Sequence, residues 1–208
     1  MVKRTRPNRT ARTVIVFMRA PVLGRVKSRL AREVGVIAAW QFYRRASARM
    51  LRRLEQEPTW TVRIAWADPP PPSALSRRPQ DFWQGRGDIG QRMERCLRKA
   101  SPGPVVLLGA DIPGVRQAHI RGAFARLGEA RTVLGPARDG GFWLVGARNG
   151  NRMQRPLFGS TVRWSNAETL RDVTDQLRQP YALADRLADV DYAADLPPPD
   201  SLTGFPGR

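Results

Sequence analysis

The sequence predicts an α/β fold, a three-layer sandwich with a mostly parallel central sheet and helices on both faces. Three observations predict it. Short, continuously apolar runs such as Thr13–Met18 and Val105–Leu108 read as strands buried on both faces. Amphipathic stretches alternate with them. Gly, Pro and Asp gather where the strands stop, which is where open α/β sheets hold ligands.

The elements follow in order. Thr13–Met18 is the first strand, and a loop, Arg19–Arg25, follows it. A long helix comes next. Ala39, Phe42, Ala46, Met50 and Leu54 repeat at helical steps, while Arg44, Arg45, Arg49, Arg52 and Arg53 take the other face. Trp60–Ala67 is a second strand, and Asp68–Ser73, with its run of prolines, is a stiff loop. The Gly-rich turn Gln84–Gly90 leads into a helix over Gln91–Ala100. A strand before Asp111 and a helix around Gln117–Leu127 come next, then strands Thr132–Leu134 and Phe142–Val145. Ser165 is an N-cap candidate for a helix to about Arg178, with Glu168 placed as in a capping box. One domain is expected over residues 13–196, between a basic tail, 1–12, and a loose tail, 197–208.

Composition narrows the chemistry. The chain has 208 residues and 41% hydrophobic content, enough for one sizeable core. No apolar run approaches the roughly 20 residues that span a bilayer, and Val14–Met18 is too short for a signal peptide. A cytoplasmic location is expected. The single cysteine, Cys96, excludes an internal disulfide and reads as core packing. The single histidine, His119, lies in a helical stretch and reads as a surface residue. Structural zinc and His-dependent nucleophilic sites are therefore poorly served, and chemistry must rest on carboxylates, Lys and Arg, and a hard metal ion. The net charge of +18 comes almost wholly from Arg, because the lysines are only Lys3, Lys27 and Lys99. The basic residues scatter over helices rather than interleave with aromatics. This favours a solvated basic surface that steers anions over a nucleic-acid groove.

Four constellations could carry a reaction. Asp111, just past a strand end in Gly109-Ala110-Asp111-Ile112-Pro113, is placed to hold Mg²⁺ or Mn²⁺ beside a diphosphate, or merely to cap the next helix. Gly24-Arg25-Val26-Lys27-Ser28-Arg29 joins a strand to a helix. There Gly24 admits close backbone approach while Arg25, Lys27 and Arg29 suit phosphate, unless they are a solvated helix start. Asp139-Gly140-Gly141 offers an acid on a ligand-hugging turn or a plain hairpin. In Asp189-Val190-Asp191 the two acids share a side and could complete a metal site with Asp111; a charged edge is the alternative. Asp88 could accept hydrogen bonds from a base or ribose, or cap a helix. Trp143 and Trp164 could give flat faces to a sugar or acceptor, or fill the core.

Taken in order, several segments resemble one group. They are Val14–Pro21, Gly24–Leu30, Gly87-Asp88-Ile89-Gly90-Gln91-Arg92-Met93, Gly109–Pro113, Gly135–Ala137 with Asp139–Gly146, Trp164-Ser165 and Asp189–Asp191. The group is the bacterial GT-A-type glycosyltransferase-like family, of the radical-SAM/selenodomain-associated transferase type, in the nucleotide-diphospho-sugar transferase superfamily. The resemblance implies a Rossmann-like GT-A sandwich and kinship with nucleotidyltransferases. Arg19-Ala20-Pro21 stands where sugar-nucleotide pyrophosphorylases carry Gly-Gly, and Pro113 replaces the second acid of an Asp-x-Asp. A second metal ligand must then come from Asp189 or Asp191.

The expectation is a transferase that uses Mg²⁺ or Mn²⁺ and a nucleotide-activated donor, with glycosyl transfer from a nucleotide-diphospho-sugar in front. Asp111 would hold the metal, Lys27, Arg25 and Arg29 the phosphates, and Asp139 would act as base or position the acceptor hydroxyl. The alternatives are a guanylyltransferase-like nucleotidyltransferase releasing pyrophosphate, and a non-catalytic basic nucleic-acid-binding protein on the same scaffold.

Overall fold

A computed structural model of the chain describes residues 11–69, 78–153 and 156–196. The basic tail's first ten residues, most of the proline loop and the tail from 197 onward lie outside the described residues.

Among the described residues, seven strands form one sheet in the order β3-β2-β1-β4-β6-β5-β7. They are β1 (Arg12–Met18), β2 (Trp60–Trp66), β3 (Phe82–Trp83), β4 (Val105–Gly109), β5 (Thr132–Pro136), β6 (Phe142–Ala147) and β7 (Tyr181–Leu183). β1 runs parallel to β2 and β4, β2 to β3, and β5 to β7. Only β6 reverses, antiparallel to both β4 and β5. The helices are α1 (Ser28–Val34), α2 (Val36–Glu55), α3 (Ile89–Arg98), α4 (Gln117–Arg126) and α5 (Thr169–Gln176). This is the GT-A-like α/β sandwich that the sequence predicts. Among the described residues no helix is long and apolar enough to cross a membrane.

Alternation along β1 sorts the two faces. Val14, Val16 and Met18 pack with Tyr43, Met50 and Leu54 of α2 and with Ile120, Ala123 and Phe124 of α4. Ile15 points the other way, onto Met93, Cys96 and Leu97 of α3 and Val173 of α5. Both faces are dry, which is why these strands read as unbroken apolar runs. Cys96 is fully buried, and burial pushes its thiol pKa up to about 12. It is a packing residue, as expected.

Four elements differ from the sequence reading. The long helix is broken into α1 and α2 by Gly35, whose φ of 86° is a left-handed conformation open to glycine. β3 and β7 are too short for periodicity to register. Ser165 does not cap a helix. It has φ of 57°, and α5 starts only at Thr169 and ends at Gln176. The intervening turn is held instead by the Asn166 side chain, which accepts from the Glu168 amide at 2.9 Å, and by Thr169 Oγ1, which accepts from the Asn166 amide at 3.2 Å. Asn and Thr side chains compete with helical hydrogen bonding in this way.

Candidate active site

β1 is connected through α2 to β2 on one side, and it pairs with β4 on its other side. Its C-terminal end is therefore a switch point, where the connections leave in opposite directions and open a crevice. A cleft of about 350 Å³ lies there, walled by Arg25, Lys27 and Tyr43 on the α1–α2 side and by Gln84 and Arg92 on the other. A larger cavity of about 1090 Å³ opens at the opposite end of the sheet, among Arg131, Arg148 and Arg178. Among its described lining residues the one carboxylate is Asp175, whereas three acids that could hold a metal ion gather at the smaller cleft.

The acids and cations named from the sequence converge here. Lys27 begins α1 in a left-handed conformation, φ 49°, and its side chain is only 7% exposed. Its ammonium donates to Asp111 Oδ2 at 2.7 Å and to Asp191 Oδ1 at 2.9 Å. Arg29 donates to the other oxygen of Asp191 at 2.7 Å. Burial alone would lower the Lys27 pKa, but Asp111 and Asp191 outweigh it and the net shift is upward. Burial would likewise raise Asp191, yet Lys27 and Arg29 hold it below the usual carboxylate range. Lys27 and Arg29, two of the three cations expected on phosphates, thus rest on the acids.

Local packing explains why Asp111 and Asp191 reach the same point. A Cβ at Gly109 would come within 2.8 Å of Asp111 Oδ1, so the glycine at the end of β4 leaves room for that carboxylate. Val190 is 1% exposed, among Leu30, Ala39 and Phe42 of α1 and α2. Its burial turns Asp189 and Asp191, on either side of it, toward the cleft, as the alternation predicts.

Oxygens of Asp111, Asp189 and Asp191 lie within 4.8 Å of one another. No cation pairs with Asp189 among the described ion pairs. Burial, then the neighbouring charges of Asp139, Asp111 and Asp191, push its pKa up to about 6. Asp139 is close enough to be felt by Asp189 and by Arg29. Four carboxylates, Asp111, Asp139, Asp189 and Asp191, therefore face two cations, Lys27 and Arg29. Arg25 also lines the cleft, and the oxygen-only set of Asp111, Asp189 and Asp191 could hold one hard divalent ion.

Asp139 opens the turn between β5 and β6, and its Oδ1 accepts from the Gly141 amide at 2.9 Å. The hairpin reading is realised, and Asp139 sits on that turn near Asp189. Gly140 has φ 85°, and a Cβ there would lie 1.9 Å from the Ala167 carbonyl oxygen. Its own carbonyl accepts from the Leu170 amide at 2.9 Å. The turn is thereby pressed onto the start of α5.

Other predicted residues lie elsewhere. Asp88 caps α3, accepting from the Gln91 amide at 2.8 Å in a capping box. Gly24, at φ 75°, shapes the β1–α1 loop rather than the cleft wall. Trp143 is 3% exposed, packed in the core with its indole donating to the Asp185 carbonyl, and offers no open face to a sugar. Trp164 is half-buried against Phe142, Phe158 and Gly90. His119 accepts from the Arg116 amide at 3.1 Å and closes the start of α4.

Sequence reasoning missed three cleft residues. The Tyr43 hydroxyl accepts from the Arg19 amide at 3.1 Å and donates to the Arg19 carbonyl at 2.9 Å, so it clamps the β1–α1 loop to α2. Burial pushes its pKa up to about 12. Gln84 and Arg92 form the opposite wall. A tyrosine on the apolar face of a helix and a glutamine beside a Gly-rich turn carry no signal without the third dimension.

Comparison with known proteins agrees with this architecture. The family model described as "Uncharacterized protein conserved in bacteria (DUF2064)" matches residues 50–166. No curated protein matches the chain. A crystal structure from Desulfovibrio desulfuricans G20, of a protein provisionally assigned as a nucleotide-diphospho-sugar transferase, is similar over 87% of this chain and 82% of its own, with 25% identity and a TM-score of 0.77. The 4-diphosphocytidyl-2C-methyl-D-erythritol synthase of Anaerococcus prevotii DSM 20548 shares the fold at 9% identity and TM-score 0.54, over 90% of this chain and 95% of that one. Glucosyl-3-phosphoglycerate synthase of Mycobacterium tuberculosis, solved with Mn²⁺, UDP and phosphoglyceric acid, does so at 11% identity and TM-score 0.50, over 86% and 69%.

Proposed function

The chain belongs to the DUF2064 family, and from that premise we propose that it is a metal-dependent transferase acting from a nucleotide-diphospho-sugar. The observation that carries the reading is the rim where Asp111, Asp189 and Asp191 stand within ligand distance of one another beside Lys27 and Arg29. The similarity to a protein provisionally assigned to nucleotide-diphospho-sugar transfer supports it.

Asp111, Asp189 and Asp191 would hold Mg²⁺ or Mn²⁺, which supplies positive charge to the diphosphate as it leaves. Arg25 lines the cleft and Arg29 sits at its edge, both within reach of phosphate oxygens. Lys27 is the compact cation that can pass from the carboxylates to a phosphate once a divalent ion satisfies them. An acceptor hydroxyl would attack the anomeric carbon, and the bond from that carbon to the phosphate oxygen would break. The nucleoside diphosphate would depart with the electron pair. Asp139, on the turn facing Asp189, would take the hydroxyl proton.

The test is product identity. Incubation with Mn²⁺ and a panel of nucleotide-sugars should release a nucleoside diphosphate, detected by chromatography. Pyrophosphate released from a nucleoside triphosphate would move the assignment to nucleotidyl transfer, and absence of both with every donor would end the transferase reading.

A further inference from the structure

The wall facing Lys27 carries a cation that the donor chemistry leaves unused. Arg92 lies in the first turn of α3, and its guanidinium is fixed from three directions. NH1 donates to Gln84 Oε1 at 2.9 Å, Nε donates to the Asp88 carbonyl at 3.4 Å, and the group lies over the Phe17 ring, 5.6 Å from its centroid. Among the described residues no carboxylate forms an ion pair with it.

Gln84 is built to present its oxygen. The residue is 1% exposed, and its amide nitrogen donates to the Ala65 carbonyl at 2.8 Å. That bond fixes the amide orientation and leaves Oε1 facing Arg92. A buried amide is costly unless satisfied on both ends, and here the second end is satisfied by the guanidinium. The Gln84 carbonyl is in turn held by Arg95 at 2.7 Å. Arginine carries five N–H donors. The two bonds described take one N–H each from NH1 and Nε and leave three donors, one on NH1 and both on NH2.

We propose that Arg92, positioned by Gln84 and Phe17, is an oxyanion subsite that receives the acceptor, which therefore carries a phosphate or a carboxylate. This inference rests on the transferase reading above. Charge argues for an anion. The metal ion, Arg25 and Arg29 already answer the diphosphate on the opposite side, and a neutral hydroxyl or base edge would be served by an amide without an unpaired charge. The three remaining donors suit an anion that offers two or more oxygens.

Calorimetric titration of the full-length protein at fixed ionic strength tests the subsite, with inorganic phosphate and propionate as probes for the two anion types. Arg92→Gln should weaken the binding of one probe by at least about tenfold, the scale of a lost charge-assisted pair. Arg45→Gln, the same charge change on an exposed stretch of α2, should leave it within about twofold. Arg92→Lys should fall between, because it keeps charge and loses the fork. Binding of Mn²⁺–UDP and Mn²⁺–GDP should be unchanged by Arg92→Gln. Equal probe binding in wild type and Arg92→Gln would overturn the subsite, as would loss of nucleotide affinity in step with loss of the probe. If the probe depends on Arg92 but no nucleotide binds with Mn²⁺, the donor reading falls and the anion site stands.

Discussion

Lys27 Nζ lies 2.7 Å from Asp111 Oδ2, and the two residues are 84 positions apart in sequence. One comes from the loop after β1 and the other from the loop after β4, so this bond closes the rim across the switch point. A second bond, to Asp191, makes Lys27 the hub of the site.

Lys27→Met should destabilise the protein by roughly 1–3 kcal/mol. Removing one partner of a buried pair costs about 3–5 kcal/mol, and the partial exposure of Asp111 and Asp191, 32% and 29%, reduces that here. The lost charge is one that a divalent ion can replace. Thermal melts with and without Mn²⁺ should therefore show a larger metal-induced rise in Tm for the variant than for wild type. An equal or smaller rise would mean that Lys27 does not stand in for a bound cation.

Asp111→Asn removes the central acid of the cluster. The Mn²⁺-induced rise in Tm should shrink, and calorimetry should show metal affinity reduced by at least roughly tenfold. Unaltered metal affinity would remove Asp111 from the ligand set.

Asp189 gives a pH signature. Its folded-state pKa is raised to about 6 from an ordinary 3.8, so the folded state holds its proton more tightly than the unfolded state does. The resulting destabilisation is absent below about pH 3.8, grows as pH climbs through this window, and is complete above about pH 6. Asp189→Asn should thus raise Tm relative to wild type at pH 7.5 without metal, and raise it only about a third as much at pH 4.5. A stabilisation of equal size at both pH values would mean that the charge is not the cause.

Tyr43→Phe deletes both hydrogen bonds to the Arg19 backbone and leaves the ring in place. Stability should fall by about 1–2 kcal/mol in urea unfolding. Because Arg19 starts the loop that carries Arg25 and Lys27, the KM for the donor should rise more than kcat falls. The reverse pattern would assign Tyr43 to the chemical step.

Gly140→Ala places a methyl group against the Ala167 carbonyl at a backbone angle that favours glycine. A cost of roughly 2–4 kcal/mol is expected from strain and overlap together. A Tm within a degree of wild type would show that the turn is free to move away from α5.

Much of this site could be read from the chain because strand ends advertise themselves. Four apolar residues before Gly109 locate the end of β4, and Asp111 follows from position alone. The alternation in Asp189-Val190-Asp191 sends its acids one way and its valine the other, and burial of Val190 bears this out. The aromatic residues were less legible. Trp143 comes two positions after Gly141 and Trp164 directly after Arg163, yet one is core and the other packs on Gly90, since a tryptophan's large apolar surface draws it inward wherever space allows. The pairing of Lys27 with acids rather than phosphate could not be foreseen either, because it depends on a contact with a residue 164 positions away. Gln84 and Arg92 were hidden for the same reason: their meaning lies in each other's orientation.

The span of that Lys27–Asp191 contact also bears on biosynthesis. As the polypeptide leaves the ribosome, the sheet from β1 to β6 can assemble while the segment bearing Asp189 and Asp191 is still in the exit tunnel. Such an intermediate would hold Asp111 but lack α5, β7, Asp189 and Asp191, so the carboxylate cluster would be complete only once that last stretch has emerged and docked through Val190.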